Sequence, residues 1–517
     1  MATQIETLPS LSSPSIVAPE TGWRRMIADW LAVGGATAVG QALGVVTSLL
    51  FRTLLDPAQM GVWQTLKMVL GYGNYANLGI SKGAARELTI ALGRGDLHAA
   101  RRGLDLAFTV NTLSSLVFAA ILVGAGAWIG ATSGSQWAGT WAVGLAVVGG
   151  LAVLDRYASF QVTILRARQA FTATAWLSIL EAVLTLGFGG LATWAFGLPG
   201  LYVGTLAVLA GSLVFLRYCR QTDFHWAWQL TEIRRLTAIG SPILLTGVCT
   251  TVFCSLDKLM ILAYLNDREF QLGCYSVALL VTGQLYGLGN MLSTVVGPRF
   301  GEKFGRSGQL RSVAFLAARA SELQAAALAL PAALAIVAAP PLLARILPEY
   351  QTGLAPVIWL VPGAVAMSLA LAGNQYLIAV DRQRRALAAV LAALGVTALG
   401  NHLALRGGYG LVGVAAATAA GYGFYFALVT AVSFWLELDG RQRVRYVLMH
   451  LLAIVPAVGS AIALELLLPT VGTDWRLLVL KAAAVGAVWS LCLAVGWRFG
   501  GWGTELSRKG AKEIDRP

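Results

Sequence analysis

Apolar stretches of about twenty residues recur along this whole chain, separated by short basic loops, and that repetition limits its fold more than any other feature. A helix of about 20 residues crosses a hydrocarbon core of about 30 Å, so a chain built of such runs is expected to thread a bilayer many times. Composition agrees. Of 517 residues, 57% are apolar and 12% charged, against about 45–50% and 25% in soluble domains. A soluble domain, a disordered chain and a coiled coil are all excluded.

Fourteen stretches reach spanning length: 30–53, 60–80, 104–129, 138–160, 171–196, 199–217, 237–265, 270–297, 313–338, 352–379, 386–405, 410–436, 446–469 and 476–497. A polar tail without an apolar core or cleavage site precedes the first, which reads as a retained helix rather than a signal peptide. Lys and Arg set the orientation. With the N-terminus in the cytoplasm, the inner loops and tails take 29 of the 38 basic residues and the outer side takes Arg52, Arg268, Arg345, Arg406 and Arg476. Lys67, Lys258, Arg319 and Lys481 fall within spans. Trp128, Trp137, Trp194 and Trp475 mark outer span ends and Trp23 and Trp435 inner ones, the pattern of an aromatic belt. The net charge of +13 is therefore topological, and no nucleic-acid partner is expected. Both termini are expected in the cytoplasm.

Enzyme classes lose their equipment in turn. No outer loop is long enough to form a domain, the longest lying near 339–351, which argues against a membrane glycan polymerase or ligase. There is no Walker A sequence, and Gly71-Tyr72-Gly73 lies mid-span without the third glycine of a nucleotide loop. His98, His225, His402 and His450 are scattered, so neither a metal site, a cofactor nor a histidine triad is expected. Five cysteines, most of them in apolar segments, define no disulfide framework. Many helices without catalytic groups point to a transporter.

An internal repeat supports that reading. Met60-Gly61-Val62-Trp63 opens span 2 and Leu272-Gly273-Cys274-Tyr275 opens span 8, an offset of 212 between the glycines; Gly200-Leu201 and Gly410-Leu411 open spans 6 and 12 at an offset of 210. The expected architecture is an all-α membrane fold of 14 transmembrane helices. Two six-helix lobes are related by a pseudo-twofold as a parallel repeat, and two C-terminal helices are added. The boundaries are a cytoplasmic tail 1–23, an N-lobe 24–217, an interfacial linker 218–236, a C-lobe 237–438, helices 13–14 over 439–500 and a tail 501–517.

The passages MGVWQTL and GAARE of spans 1–2, SLDKLMI of span 7 and GPRFGE after span 8 resemble polysaccharide-biosynthesis flippases. These are the O-antigen-type exporters of the multidrug/oligosaccharidyl-lipid/polysaccharide superfamily. The resemblance implies alternating-access movement of an undecaprenyl-diphosphate-linked oligosaccharide from the inner to the outer leaflet of a bacterial cytoplasmic membrane. It implies membrane lipids, a coupling H+ or Na+, and a polysaccharide polymerase and export machinery as partners. It also reaches lipid II flippases and multidrug/cation antiporters.

Charges inside spans cost about 2.5–3.5 kcal/mol each on insertion scales, so each needs a partner, a cavity or a function. Lys67 shares a helical face with Gln64, Gly71 and Asn74. Lys67, Lys258, Arg319 and Arg52 are candidates for a cationic vestibule that compensates a pyrophosphate. Asn74, Asn77, Gln284, Asn290 and Asn374 would offer hydrogen bonds to sugar hydroxyls. Asp257, and Glu181 about 15 Å into span 5, are coupling-ion candidates. Structural alternatives stand beside these roles: Arg319 and Glu322, three apart, can pair on one face, and Arg52 can anchor a span end.

Overall fold

A helix satisfies its main-chain polar groups within one apolar segment, which lipid demands of any single crossing. The computed structural model describes residues 23–84, 87, 97–134, 136–167, 170–219, 224–468 and 475–500, and among these there is no strand. The outermost tails and Arg86, Arg94, Arg168 and Arg220 of the basic loops lie outside the described residues.

Among the described residues the long helices are α1 (Trp23–Leu54), α2 (Pro57–Gly73), α3 (Leu97–Thr132), α4 (Ala138–Ala167), α5 (Phe171–Leu184), α6 (Gly190–Cys219), α7 (Leu230–Tyr264), α8 (Arg268–Ser307), α9 (Leu310–Ile346), α10 (Ala355–Ala379), α11 (Gln383–Arg406), α12 (Gly410–Val432), α13 (Gly440–Leu467) and α14 (Trp475–Gly500), and residues 80–84, between α2 and α3, are helical as well. A π-helical turn, Thr185–Gly189, joins α5 to α6. Eleven helices among the described residues are long and apolar enough to cross a membrane. One of these, Thr172–Cys219, has 48 residues, about 72 Å of helix, more than twice a bilayer core. It is broken at Gly197, where φ is 61°. Gly200 then lies so close to the Ala192 carbonyl that no Cβ would fit. Residues eight apart on a straight helix are about 12 Å apart, so the chain folds back here.

Two expected boundaries move. Span 2 was expected to run through residue 80, but α2 stops at Gly73 and the chain turns through Asn74–Gly79, with Leu78 and Gly79 at positive φ. The GPRFGE passage, expected as a loop, is the last part of α8, which extends as a helix to Ser307 and is closed by left-handed Gly308. An apolar-length argument sees only the membrane-embedded part of such a helix.

The chain divides into two units, one of residues 1–55 with 62–251 and one of residues 56–61 with 252–517. In the first, α3 packs along α4, and α5 and α6 pack with α1. Residues 224–229 lie on α3: the main-chain N–H of His225 donates to Asp105 (3.0 Å) and that of Ala227 to Thr109 (3.0 Å), while Phe224 stacks on Phe108 at 5.2 Å. In the second, α10 packs against α8 and α12, and α9 against α13 and α14. Its largest core is rich in alanine, with Ala325, Ala329, Ala332 and Ala333 of α9 buried. Small side chains let helix backbones approach, the packing that replaces hydrophobic drive within lipid. The first turns of α2 and α8 meet within this unit through the two repeat glycines. A Cβ on Gly61 would strike the Glu269 carbonyl, and one on Gly273 the Pro57 carbonyl.

Candidate functional site

Each unit collects buried polar groups, and the sequence candidates divide between them. In the first unit Lys67 is exposed on α2. Arg52, in the last turn of α1, is buried and donates to the Ser48 carbonyl at 2.8 Å and to the Ser48 hydroxyl at 2.5 Å. Its charge is held against its own helix, as a span-end residue would be. Glu181 is half-buried on α5.

Asn74 is exposed in the turn after α2, whereas Asn77 is buried. The Asn77 amide donates to Ser81 (2.8 Å) and to Asn111 of α3 (3.1 Å), and its oxygen accepts the Gly79 N–H (3.2 Å). Those bonds satisfy the chain where it leaves the helix at a left-handed residue. Tyr75 of the same turn donates to the Gly247 carbonyl at 3.1 Å and bonds Thr251 at 2.5 Å.

In the second unit the sequence placed Asp257 and Lys258 side by side in an apolar run. Asp257 is 1% exposed. Its Oδ1 accepts the main-chain N–H of Lys258 at 2.8 Å and its Oδ2 accepts the Tyr275 hydroxyl of α8 at 3.0 Å. The Lys258 ammonium turns the other way along the helix and donates to the Cys254 carbonyl at 3.2 Å. From α12, the Tyr422 hydroxyl lies beside the Cys254 thiol. Phe253 packs against Tyr422 and Tyr425, with ring centroids 5.1 and 5.2 Å away. Asn374 of α10 closes the cluster through its amide, 3.0 Å from the Tyr425 hydroxyl.

Helices α7, α8, α10 and α12 thus bring phenols, a thiol, an amide and the Lys258 ammonium into one cluster, in which Asp257 is bonded by Tyr275 and a main-chain N–H. Its direct partners among the described residues are neutral. A carboxylate so placed is costly as a bare ion, and a proton or a small hard cation would lower that cost. No group of three or more His, Cys, Asp or Glu able to hold a metal occurs among the described residues.

The other candidates are placed apart from this cluster. Gln284 is half-buried and Asn290 exposed on α8. Arg319 of α9 pairs with Glu322 at 3.0 Å and lies over the Phe315 ring at 5.0 Å. Glu322 also faces Arg445 of α13 at 3.6 Å. Sequence reasoning missed Tyr275, Tyr422, Tyr425 and Cys254. The available signals were the four-residue step from Cys254 to Lys258 and the three-residue step from Tyr422 to Tyr425, each placing two polar groups on one face of an apolar span.

Residues 53–350 match a family model described as polysaccharide biosynthesis protein. No curated relative matches the chain in sequence. Among solved structures, it is similar to an inward-facing multidrug resistance MATE family transporter of the MOP superfamily, at 14% identity and a TM-score of 0.60 over 79% of this chain and 95% of that one. It is similar to a MOP superfamily transporter from Pyrococcus furiosus, at 13% identity and a TM-score of 0.58 over 81% and 96%. A Vibrio cholerae MATE transporter matches at 15% identity and a TM-score of 0.58 over 80% and 95%. At these identities the likeness is one of fold.

Proposed function

The chain belongs to the polysaccharide biosynthesis protein family, and from that premise we propose that it flips an undecaprenyl-diphosphate-linked oligosaccharide from the inner to the outer leaflet of a bacterial cytoplasmic membrane. Its family and fold are those of membrane exporters. The observation that carries the proposal is the coincidence of a polysaccharide family match over 53–350 with a MATE-like helical fold over most of the chain. Alternating access by such a fold needs no covalent chemistry. It needs groups that tolerate a charged headgroup and a group whose occupancy biases two states.

Lys67 and Lys258 supply the first requirement in this reading. A pyrophosphate crossing a membrane must exchange water for fixed donors, and ammonium groups compensate its charge. Lys67 is exposed, and Lys258, with one N–H on the Cys254 carbonyl, keeps further donors. Asn74, Gln284 and Asn290, exposed or half-buried, would meet sugar hydroxyls. Asp257 supplies the second requirement: binding H+ or Na+ changes the charge at the α7–α8–α12 cluster, so a gradient of that ion would drive the cycle. The basic excess of alternate loops supports a reading with both termini in the cytoplasm.

Deletion of the gene, with lipid-linked intermediates assayed by leaflet, tests the function. Precursor should build up on the inner leaflet and return to normal with the wild-type gene. Normal export in the deletion strain overturns the assignment. Lys67→Ala should reduce export at unchanged protein level, and wild-type export from that variant removes Lys67 from the transport path.

A further inference from the structure

Helix α2 meets a neighbour through glycine at each of its ends. At its first turn, a Cβ on Gly61 would strike the Glu269 carbonyl of α8, and one on Gly273 the Pro57 carbonyl. Pro57 and Glu269 are 212 residues apart, as Gly61 and Gly273 are, so the repeat offset turns each contact into the other. Beyond its last turn, a Cβ on Gly240 of α7 would strike the Gly79 carbonyl, and one on Gly83 the Leu236 carbonyl. Tyr75, which bonds the Gly247 carbonyl at 3.1 Å and Thr251 at 2.5 Å, and the Arg235–Glu87 ion pair at 3.3 Å bracket this second seam. Helix α2, with 17 residues and a length of about 26 Å, separates the two seams by close to the thickness of a bilayer core.

The division of the chain runs through both helices. Residues 56–61 group with the second unit and 62–251 with the first. Helix α2 therefore changes unit directly after Gly61, and α7 directly after Thr251, the residue bonded by Tyr75. A displacement between the units acts on the two helices at these points, beside the glycines of one seam and the tyrosine of the other. A rigid helix that tilts about its middle moves its ends in opposite directions, so a tilt of α2 that parts one seam presses the other together. The seams suit such a motion. A glycine Cα–H facing a carbonyl oxygen is a weak bond, and small residues bring backbones together without interleaved side chains, so the contact parts and re-forms without repacking.

We propose that the Gly61–Gly273 and Gly79–Gly240 seams are two gates of this chain, one parting as the other closes. The inference rests on the alternating access proposed above and not on the substrate. Gly61, Gly83, Gly240 and Gly273 are helical and without positive φ, so alanine fits their backbone and acts as a wedge against the partner. The atom it would strike is main chain and cannot rotate aside, so the added methyl holds its own gate ajar.

The test follows hydrogen exchange by mass spectrometry in the full-length protein in lipid nanodiscs. The peptides read are those covering 57–61 and 268–273 for the first seam, and 75–84 and 232–251 for the second. Gly61→Ala should speed exchange at the first seam about tenfold, as overpacking a tight contact does, and slow it at the second. Gly240→Ala should do the reverse. Tyr75→Phe combined with Arg235→Gln adds no wedge and cuts bonds of the second seam alone, so it serves where an alanine variant fails to accumulate. It should act in the direction of Gly240→Ala, by about threefold, the average for an interhelical bond in a membrane. Exchange that rises at the altered seam alone, or at both seams together, overturns the proposal. No substrate is present, so opposite responses at the two seams stand even if the deletion strain exports normally, and that result removes the substrate alone.

Discussion

Two acids lie deep in the second unit, and their surroundings differ in kind. Glu465 of α13 is paired with Lys481 of α14 at 2.8 Å, and the lysine is 1% exposed. Asp257 of α7 is as deeply buried but is met by a tyrosine hydroxyl and a main-chain N–H. A buried ion pair ties its two helices together, because removing one partner leaves the other as an uncompensated buried charge. Neutral donors impose no such constraint. The direct partners of Asp257 are neutral hydrogen-bond donors, so an ion bound there would break no ion pair. The first arrangement suits a permanent joint between helices, and the second is compatible with the ion-binding role proposed for Asp257.

The largest test of this contrast is Lys481→Met. It leaves Glu465 buried without its counter-charge, and stability should fall by about 3–5 kcal/mol; the double variant with Glu465→Leu should recover most of the loss in a detergent melt. If the single variant melts like the wild type, the pair is not a joint. Tyr275→Phe comes next. One Asp257 oxygen loses its donor, and the expected cost is about 1–3 kcal/mol, accompanied by a changed ion dependence of transport in proteoliposomes. Asp257→Asn removes the charge but keeps the shape, so it should melt within a few degrees of the wild type while transport loses its response to a pH or sodium gradient. A gradient response that survives in this variant would place the contrast elsewhere. Tyr425→Phe is the smallest, about 0.6 kcal/mol, the average for an interhelical hydrogen bond in a membrane, with the gradient response unchanged.

Hydropathy made the helices legible because a bilayer demands uninterrupted apolar length, and that demand is written locally. Where helices continue past the lipid, as α8 does to Ser307, the signal stops before the structure does. The end of α2 was hidden for another reason. It depends on a left-handed Leu78 and on Asn77 reaching Asn111 more than thirty residues away, neither of which composition encodes. Charges within spans were conspicuous, so Asp257, Lys258, Arg319 and Lys481 stood out. Their partners did not: a tyrosine such as Tyr275 or Tyr422 looks alike in a core, a belt or a site. The Glu465–Lys481 pair was readable in principle, since an acid late in one span and a base early in the next sit at the same depth in a helical hairpin.

At Gly197 the chain reverses on a single left-handed glycine, with Gly200 pressed against the Ala192 carbonyl. A reversal that tight leaves no slack on its side of the bilayer. A protease needs several extended residues to seat a substrate and an antibody needs a protruding peptide, and this hairpin gives neither. A reporter tag inserted there would have to pry two packed helix ends apart to reach water.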